Sequence, residues 1–317
     1  MTSQIHDDVN RAAQETAVLV DRSQLACFKI SGASRLDILH RISTNAVKQL
    51  PPGAGAATVL TTNIGRIIDR LILYADSDSV TMLAGENHRD PLARYLLRNV
   101  FFQDDFQLAD VTDETAVLAI YGPQSQTLLT QAGFGETDLP LHHWRSADIN
   151  GIPATLHKTD PINDDGYFIL CSTNAKDALQ THLQANGITP ADEAAFDYLR
   201  IAAGLPRYGR ELTLDYIPLE ADLWADVSFN KGCYTGQEII ARLESRGRLA
   251  KRLVKLTTQV PITAGTDILA DGKSVGTVTS TAVGPLGAVA LGYVKTAVLD
   301  EKKALTVGEE TAVTPSS

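Results

Sequence analysis

The chain has 317 residues, 44% of them hydrophobic and 21% charged, with a formal net charge of −10; its mean hydropathy is −0.05 and its pI is near 5.2. That length supports two or three domains with their own cores. The longest apolar runs, such as Leu71-Ile72-Leu73-Tyr74, fall far short of the ~20 residues of a membrane span, and the acidic balance repels a nucleic-acid backbone.

The N-terminal stretch from Met1 to Asp8 carries acidic residues and no apolar h-region, which argues against a secretory signal or an Arg-rich transit peptide and places the expected location in the cytoplasm. β-Prone runs follow at 16–21 and 26–30, then a helix over 35–42 with Ser34 as its cap. Pro51-Pro52-Gly53-Ala54-Gly55 is a loop, not a dinucleotide-binding turn, because prolines instead of a strand precede its glycines. Runs at 57–61, 66–74 and 79–83 predict an antiparallel meander, and Asp90-Pro91 opens a helix that runs through Leu97.

Beyond Val111 the pattern alternates: strand 116–121, helix 124–131, strand 166–171, helix 175–186, and a helix over 191–203 stopped by Gly204 and Pro206. His142-His143-Trp144 lacks a third ligand at metal-binding spacing. After Lys251 the chain is strand-rich, with a hairpin signal at Asp271-Gly272 and glycine-punctuated strands, which predicts a small β-barrel or sandwich. The tail from about Gly308 is polar and expected to fray. The fold class is α+β.

Three cysteines, Cys27, Cys171 and Cys233, are an odd number without C-x-x-C spacing. That pattern fits a reducing compartment and offers neither a disulfide framework nor an all-cysteine metal site within one chain. Cys27 and Cys171 fall on strands and read as core residues. Cys233 differs, because Lys231-Gly232-Cys233-Tyr234-Thr235-Gly236-Gln237-Glu238 sets it between glycines, ahead of a helix whose first turn is expected near Thr235. A helix start and the Lys231 ammonium both favour thiolate over thiol; the competing reading is a small buried hydrophobe. Downstream, Arg242, Arg246, Arg248, Lys251 and Arg252 stand against Glu244 alone, either as a solvated helix end or as a site for an anionic ligand tail.

The octapeptide resembles the K-G-C-Y-x-G-Q-E signature of YgfZ-type folate-binding proteins, relatives of factors that assist iron–sulfur enzyme maturation within the superfamily of the glycine cleavage T-protein, an aminomethyltransferase. Further matches extend the resemblance over nearly the whole chain: Leu36 to Asn45, Tyr121-Gly122-Pro123, Leu199-Arg200-Ile201-Ala202-Ala203-Gly204 and Leu291-Gly292-Tyr293-Val294. The resemblance implies a GcvT-like three-domain cloverleaf around a central folate channel. Its expected parts are a first α+β domain of 1–48 plus 112–205, a second of 49–111 plus 206–250 carrying the folate and cysteine motifs, and a C-terminal β-barrel domain of 251–317.

Residue by residue, Pro218-Leu219-Glu220-Ala221 is similar to the family's P-L-E-A segment, which implies that Glu220 grips the pterin ring of tetrahydrofolate. A carboxylate suits a pteridine edge because it accepts two parallel N–H bonds. Ala84-Gly85-Glu86-Asn87-His88-Arg89-Asp90 resembles the T-protein stretch whose final aspartate sits near the reactive folate nitrogen and is essential for aminomethyl transfer, and the competing reading of Asp90 is a helix cap. Arg246 and Arg248 are the candidates for the folate tail, and Cys233 with Lys231 for the reactive centre. The implied function is a tetrahydrofolate-binding accessory protein for synthesis or repair of iron–sulfur enzymes. Its implied partners are folate and iron–sulfur client enzymes or assembly machinery, with neither membrane nor nucleic acid. The alternatives are folate-dependent aminomethyl transfer and a part in tRNA modification.

Overall fold

The computed structural model describes residues 3–4, 6–247, 249–285, 287–308 and 311–316. Three sheets organise them. The first has six strands in the order Thr189–Ala191, Val18–Asp21, Thr115–Tyr121, Asp165–Ser172, Ile152–Ile162 and Trp144–Ile149. Thr115–Tyr121 and Asp165–Ser172 are almost uniformly buried because both faces are covered, one by helix Lys176–Ala185 through Leu179 and Leu183, the other by the junction of the sheets.

The second sheet has five strands, Gly55–Thr61, Ile67–Ala75, Ser79–Glu86, Leu25–Ser31 and Gln107–Asp110, under helices Arg35–Ile42 and Arg89–Arg98. The expected meander is its first half. Sequence grouped 25–48 with the first domain; instead Leu25–Ser31 pairs with Ser79–Glu86 on one side and Gln107–Asp110 on the other. The cause is its alternation, since Ala26, Phe28 and Ile30 complete the apolar face shared with Ile38, Leu39, Leu92 and Leu96.

The third sheet closes. Lys273–Gly284, Asp267–Ala270, Leu305–Val307, Thr311–Ser316, Lys251–Thr258 and Gly287–Lys295 pair in turn, and the last returns to the first, which makes a six-stranded barrel. Asp271 and Gly272, with φ of 50° and 70°, form the anticipated hairpin turn. The tail is not frayed as expected, because Thr311–Ser316 fills the gap between Leu305–Val307 and Lys251–Thr258, and an open barrel would leave both edges unpaired.

Helix Glu193–Ala203 stands where the sheets meet. Asp192 caps it by accepting from the Ala195 N–H at 2.8 Å, and Gly204, at φ 82°, ends it in the left-handed region. Phe196, Tyr198, Leu199 and Ile201 share one core with Val20 and Ala119 of the first sheet, Tyr74 and Leu83 of the second, and Ala282 and Leu291 of the barrel. Arg200, 1% exposed, fastens the junction. Its guanidinium donates to Asp197 at 2.7 Å, to Glu211 at 3.0 Å and to the Ser280 hydroxyl of the barrel at 2.8 Å.

Substituting Arg200 by methionine leaves the Glu211 carboxylate, 0% exposed, without its cation, and loss of one partner from a buried pair costs about 3–5 kcal/mol. Urea unfolding should show that loss as a clearly lower midpoint; an unchanged midpoint would show that the junction does not depend on this contact.

Candidate functional site

The cysteine loop is built as a pedestal. It follows the short turn Trp224–Asp226, and the strand-like segment after helix Arg35–Ile42 holds it. The Thr44 hydroxyl donates to the Asp226 carbonyl at 2.7 Å, the Ser228 N–H donates to the Thr44 carbonyl at 3.0 Å, and the Asn45 amide donates to the Ala225 carbonyl at 3.1 Å. Lys231 then turns inward. Its ammonium donates to the carbonyls of Ser43 at 2.6 Å and Asn45 at 3.0 Å and to that of His40; those of His40 and Ser43 belong to the helix C-terminus, where carbonyls are left unpaired. Burial pulls its pKa down to about 8.

Tyr234, 8% exposed, packs with Leu219, Val227 and Ile240, and burial pushes its phenol up to about 12. The Thr235 carbonyl accepts from the Thr61 hydroxyl at 2.5 Å. Gly236 is at φ 84°, where a Cβ would stand 2.5 Å from the Thr62 carbonyl oxygen and 2.9 Å from the Gly65 Cα, so no other residue fits without strain. Between these anchors nothing lies within 4 Å of a Cβ placed on Gly232, and Cys233 is a free, exposed thiol. The motif therefore divides into four anchors and a projecting pair.

Two details differ from the sequence reading. The helix is Gln237–Arg246 with Gly236 as its cap, so it begins two residues after Thr235, near which its first turn was expected. Lys231 is spent on three backbone carbonyls, so its charge serves the pedestal. The other thiols are core, as expected: burial raises Cys27 to about 12 and raises Cys171 also.

A second feature lies between the first two sheets and the helix junction: a cavity with about 130 Å³ of free volume. Tyr121, Phe168, Phe196 and Tyr208 form aromatic walls, aliphatic side chains such as Leu25, Ile72 and Leu83 extend the apolar surface, and ion pairs supply the polar part. Arg70 donates to Asp160 at 2.7 Å and to Asp226 at 2.6 Å. Burial alone would raise Asp160, but the Arg70 guanidinium outweighs it and holds that carboxyl below the ordinary range. Glu86 receives both Arg22 and Arg207, and the Arg22 guanidinium lies 3.8 Å above the Phe196 ring.

Sequence reasoning missed this cavity. One signal was present, since Asp69-Arg70 interrupts the apolar run of strand Ile67–Ala75 with two adjacent charges, and charges inside a buried strand are rarely without purpose.

The remaining candidates do not join it. Glu220, 6% exposed, accepts the Ile217 N–H at 3.3 Å, and burial raises its pKa. It lines a separate cleft of about 830 Å³ with Trp224, Leu243, Leu249, Arg252 and Leu299, because the turn 217–220 packs on the first barrel strand through Leu253, whose N–H donates to the Glu220 carbonyl at 2.8 Å. Asp90 is exposed in the first turn of Arg89–Arg98, whose cap is His88, and it does not line the cavity. Arg248 and the side chain of Arg246 lie outside the described residues. Arg252 pairs with Asp300 at 3.3 Å.

Residues 2–231 match the GCVT N-terminal domain family, and residues 251–314 match the glycine cleavage T-protein C-terminal barrel domain. The chloroplastic protein At1g60990 of Arabidopsis thaliana, whose name assigns it only to the transferases, is 31% identical over 307 residues, which cover 96% of this chain and 71% of that one. An aminomethyltransferase of a Synechocystis species is 30% identical over 301 residues, 90% of this chain and 80% of that one. The crystal structure of the glycine cleavage aminomethyltransferase from Bartonella henselae superposes with a TM-score of 0.86 over 98% of this chain and 88% of that one, at 24% identity, a likeness of fold. Among the described residues, no helix is long and apolar enough to cross a membrane.

In the native protein a small alkylating reagent should modify Cys233 alone, with Cys27 and Cys171 reacting only after unfolding; peptide mapping by mass spectrometry distinguishes this from uniform labelling. Gly236→Ala should cost about 1–3 kcal/mol in backbone strain and expose the 227–236 segment to proteolysis. Wild-type resistance in that variant would mean the loop is not pinned there.

Proposed function

Because the chain belongs to the glycine cleavage T-protein family, we propose that it is a folate-binding accessory protein that supports the synthesis or repair of iron–sulfur enzymes, with a reduced folate in the central cavity and Cys233 as its working thiol. The observation that carries this reading is the division of the octapeptide: Lys231, Tyr234, Thr235 and Gly236 are fixed by burial or backbone bonds, and the thiol they present is exposed. A cysteine kept for packing would be turned inward, as Cys27 is.

The cavity suits a reduced folate. Phe168, Phe196 and Tyr208 would hold a flat heterocycle, and the paired charges of the wall offer donors and acceptors to its edge. When bound, folate supplies a carrier for one-carbon units. The single thiol limits what the chain can do alone, since a stable cluster takes four protein ligands. Cys233 provides one thiolate for transient ligation or thiol exchange with a client protein.

Aminomethyl transfer is the second reading, favoured by relatives that bear that name. Against it stands the exposed position of Asp90, away from the cavity wall.

Cells lacking this protein separate the two. On the first reading, iron–sulfur enzyme activities fall, glycine cleavage is unchanged, and Cys233→Ser fails to restore the former while retaining wild-type folate affinity. Full rescue by Cys233→Ser would remove the thiol from the function. Turnover of an aminomethyl donor with tetrahydrofolate by the purified protein, lost in Asp90→Asn, would establish the second reading instead.

A further inference from the structure

A third hollow lies across helix Glu193–Ala203 from the central cavity. It has a volume of about 220 Å³ and is enclosed by that helix, helix Asp7–Glu15 and the barrel strands Lys251–Thr258 and Gly287–Lys295. It shares no lining residue with the central cavity or with the cleft at Glu220. Helical period explains the division: Phe196 and Arg200, four apart, line the cavity, and Tyr198, Ile201 and Ala202, about half a turn round, line the hollow.

Three polar groups of its wall lack partners among the described residues. Asn10 is 7% exposed, its Oδ1 is enclosed and unbonded, and its Nδ2 makes no hydrogen bond either. A buried amide left unpaired is costly, and such a group in a folded protein calls for a reason. Tyr198 is 4% exposed, and burial raises its phenol, so the hydroxyl keeps its proton yet donates to no protein acceptor. Lys255 is half-buried; its stem lies against Gly204, and its ammonium pairs with no carboxylate. The chain carries 38 acidic residues against 28 basic ones, but Lys255 is the one charged residue in this lining. Leu199, Ile201, Leu256 and Val289 supply apolar surface. A mostly apolar wall with a few convergent polar groups is the composition of a small-molecule site.

We infer that this hollow is a binding site for a small carboxylate that carries an apolar body and a hydroxyl or amide group, with the carboxylate on Lys255 and the polar group on Asn10 and Tyr198. A lone cation selects an anion, and a half-buried one is screened less than a surface charge. The amide of Asn10 both accepts and donates, and the phenol donates. Because no Asp or Glu faces the hollow, the ammonium of a free amino acid would find no counter-charge there, so a hydroxy acid or an acylated amino acid fits better. The site is independent of the folate reading.

The probe is 2-hydroxy-4-methylpentanoate, titrated into protein labelled with 15N-asparagine and followed by NMR, with affinities from calorimetry. The side-chain amide resonance of Asn10, identified by its loss in Asn10→Leu, should shift saturably. Lys255→Met keeps the stem against Gly204 and should weaken binding at least about tenfold, the scale of a lost charge-assisted bond. Asn10→Leu should weaken it about fivefold. The neutral 2-hydroxy-4-methylpentanamide and the zwitterion leucine should both bind more weakly than the hydroxy acid. An unmoved Asn10 resonance, wild-type affinity in folded Lys255→Met, or equal affinity for the amide or for leucine overturns the inference. So does competition between the probe and tetrahydrofolate, which would show that the hollow is not a separate site.

Discussion

One guanidinium ties the molecule together. Arg70 projects from the second sheet and bonds Asp160 of the first sheet and Asp226 at the root of the cysteine loop, so the two α+β layers and the loop share a single cation. Two acids around one base make this arrangement self-locking, since burial of Asp226 or Asp160 without Arg70 would strand a charge in a low-dielectric interior. The aromatic cavity and the thiol pedestal are both defined by where this contact holds their walls. Arg200 does the equivalent for the barrel, by joining Glu211 and Ser280.

Much of the fold could be read from the residues because local signals and tertiary packing agree. The period-two runs around 57–83 became a meander, and the glycine after Ala203 became a left-handed helix cap. The breaks came where long-range pairing decided. Leu25–Ser31 looks like any half-buried strand, and its choice of the second sheet depends on partners about 50 or more residues away. The hairpin of Trp144–Ile149 with Ile152–Ile162 was not anticipated despite Asn150-Gly151, which adopt φ of 55° and 85° at its turn.

For the site, legibility divided by mechanism. Cys233 stood out because glycines and a helix start are local features, and it is exposed. The inward bonds of Lys231 were not legible, because its partners, the carbonyls of His40, Ser43 and Asn45, lie in a segment 186–191 residues earlier. Glu220 and Asp90 were chosen by motif position, yet topology sends one to the barrel seam and the other to an exposed helix turn. The cavity charges come from five separate stretches, around Arg22, Asp69, Glu86, Asp160 and Arg207, and no spacing rule links them.

The pedestal under Cys233 also bears on how fast a partner could engage it. Ordering a rotamer-rich side chain at an interface costs about 0.5–1.5 kcal/mol each, and ordering a floppy loop multiplies that sum. Here the residues that flank the projecting pair, Lys231 on one side and Tyr234 to Gly236 on the other, are fixed before any encounter, by carbonyl bonds, a buried ring and a glycine wedged against Thr62 and Gly65. What is left to freeze is the Gly232-Cys233 pair and the one torsion of the thiol side chain. Such a thiol is a preorganised probe, and little conformational entropy is lost when it makes contact.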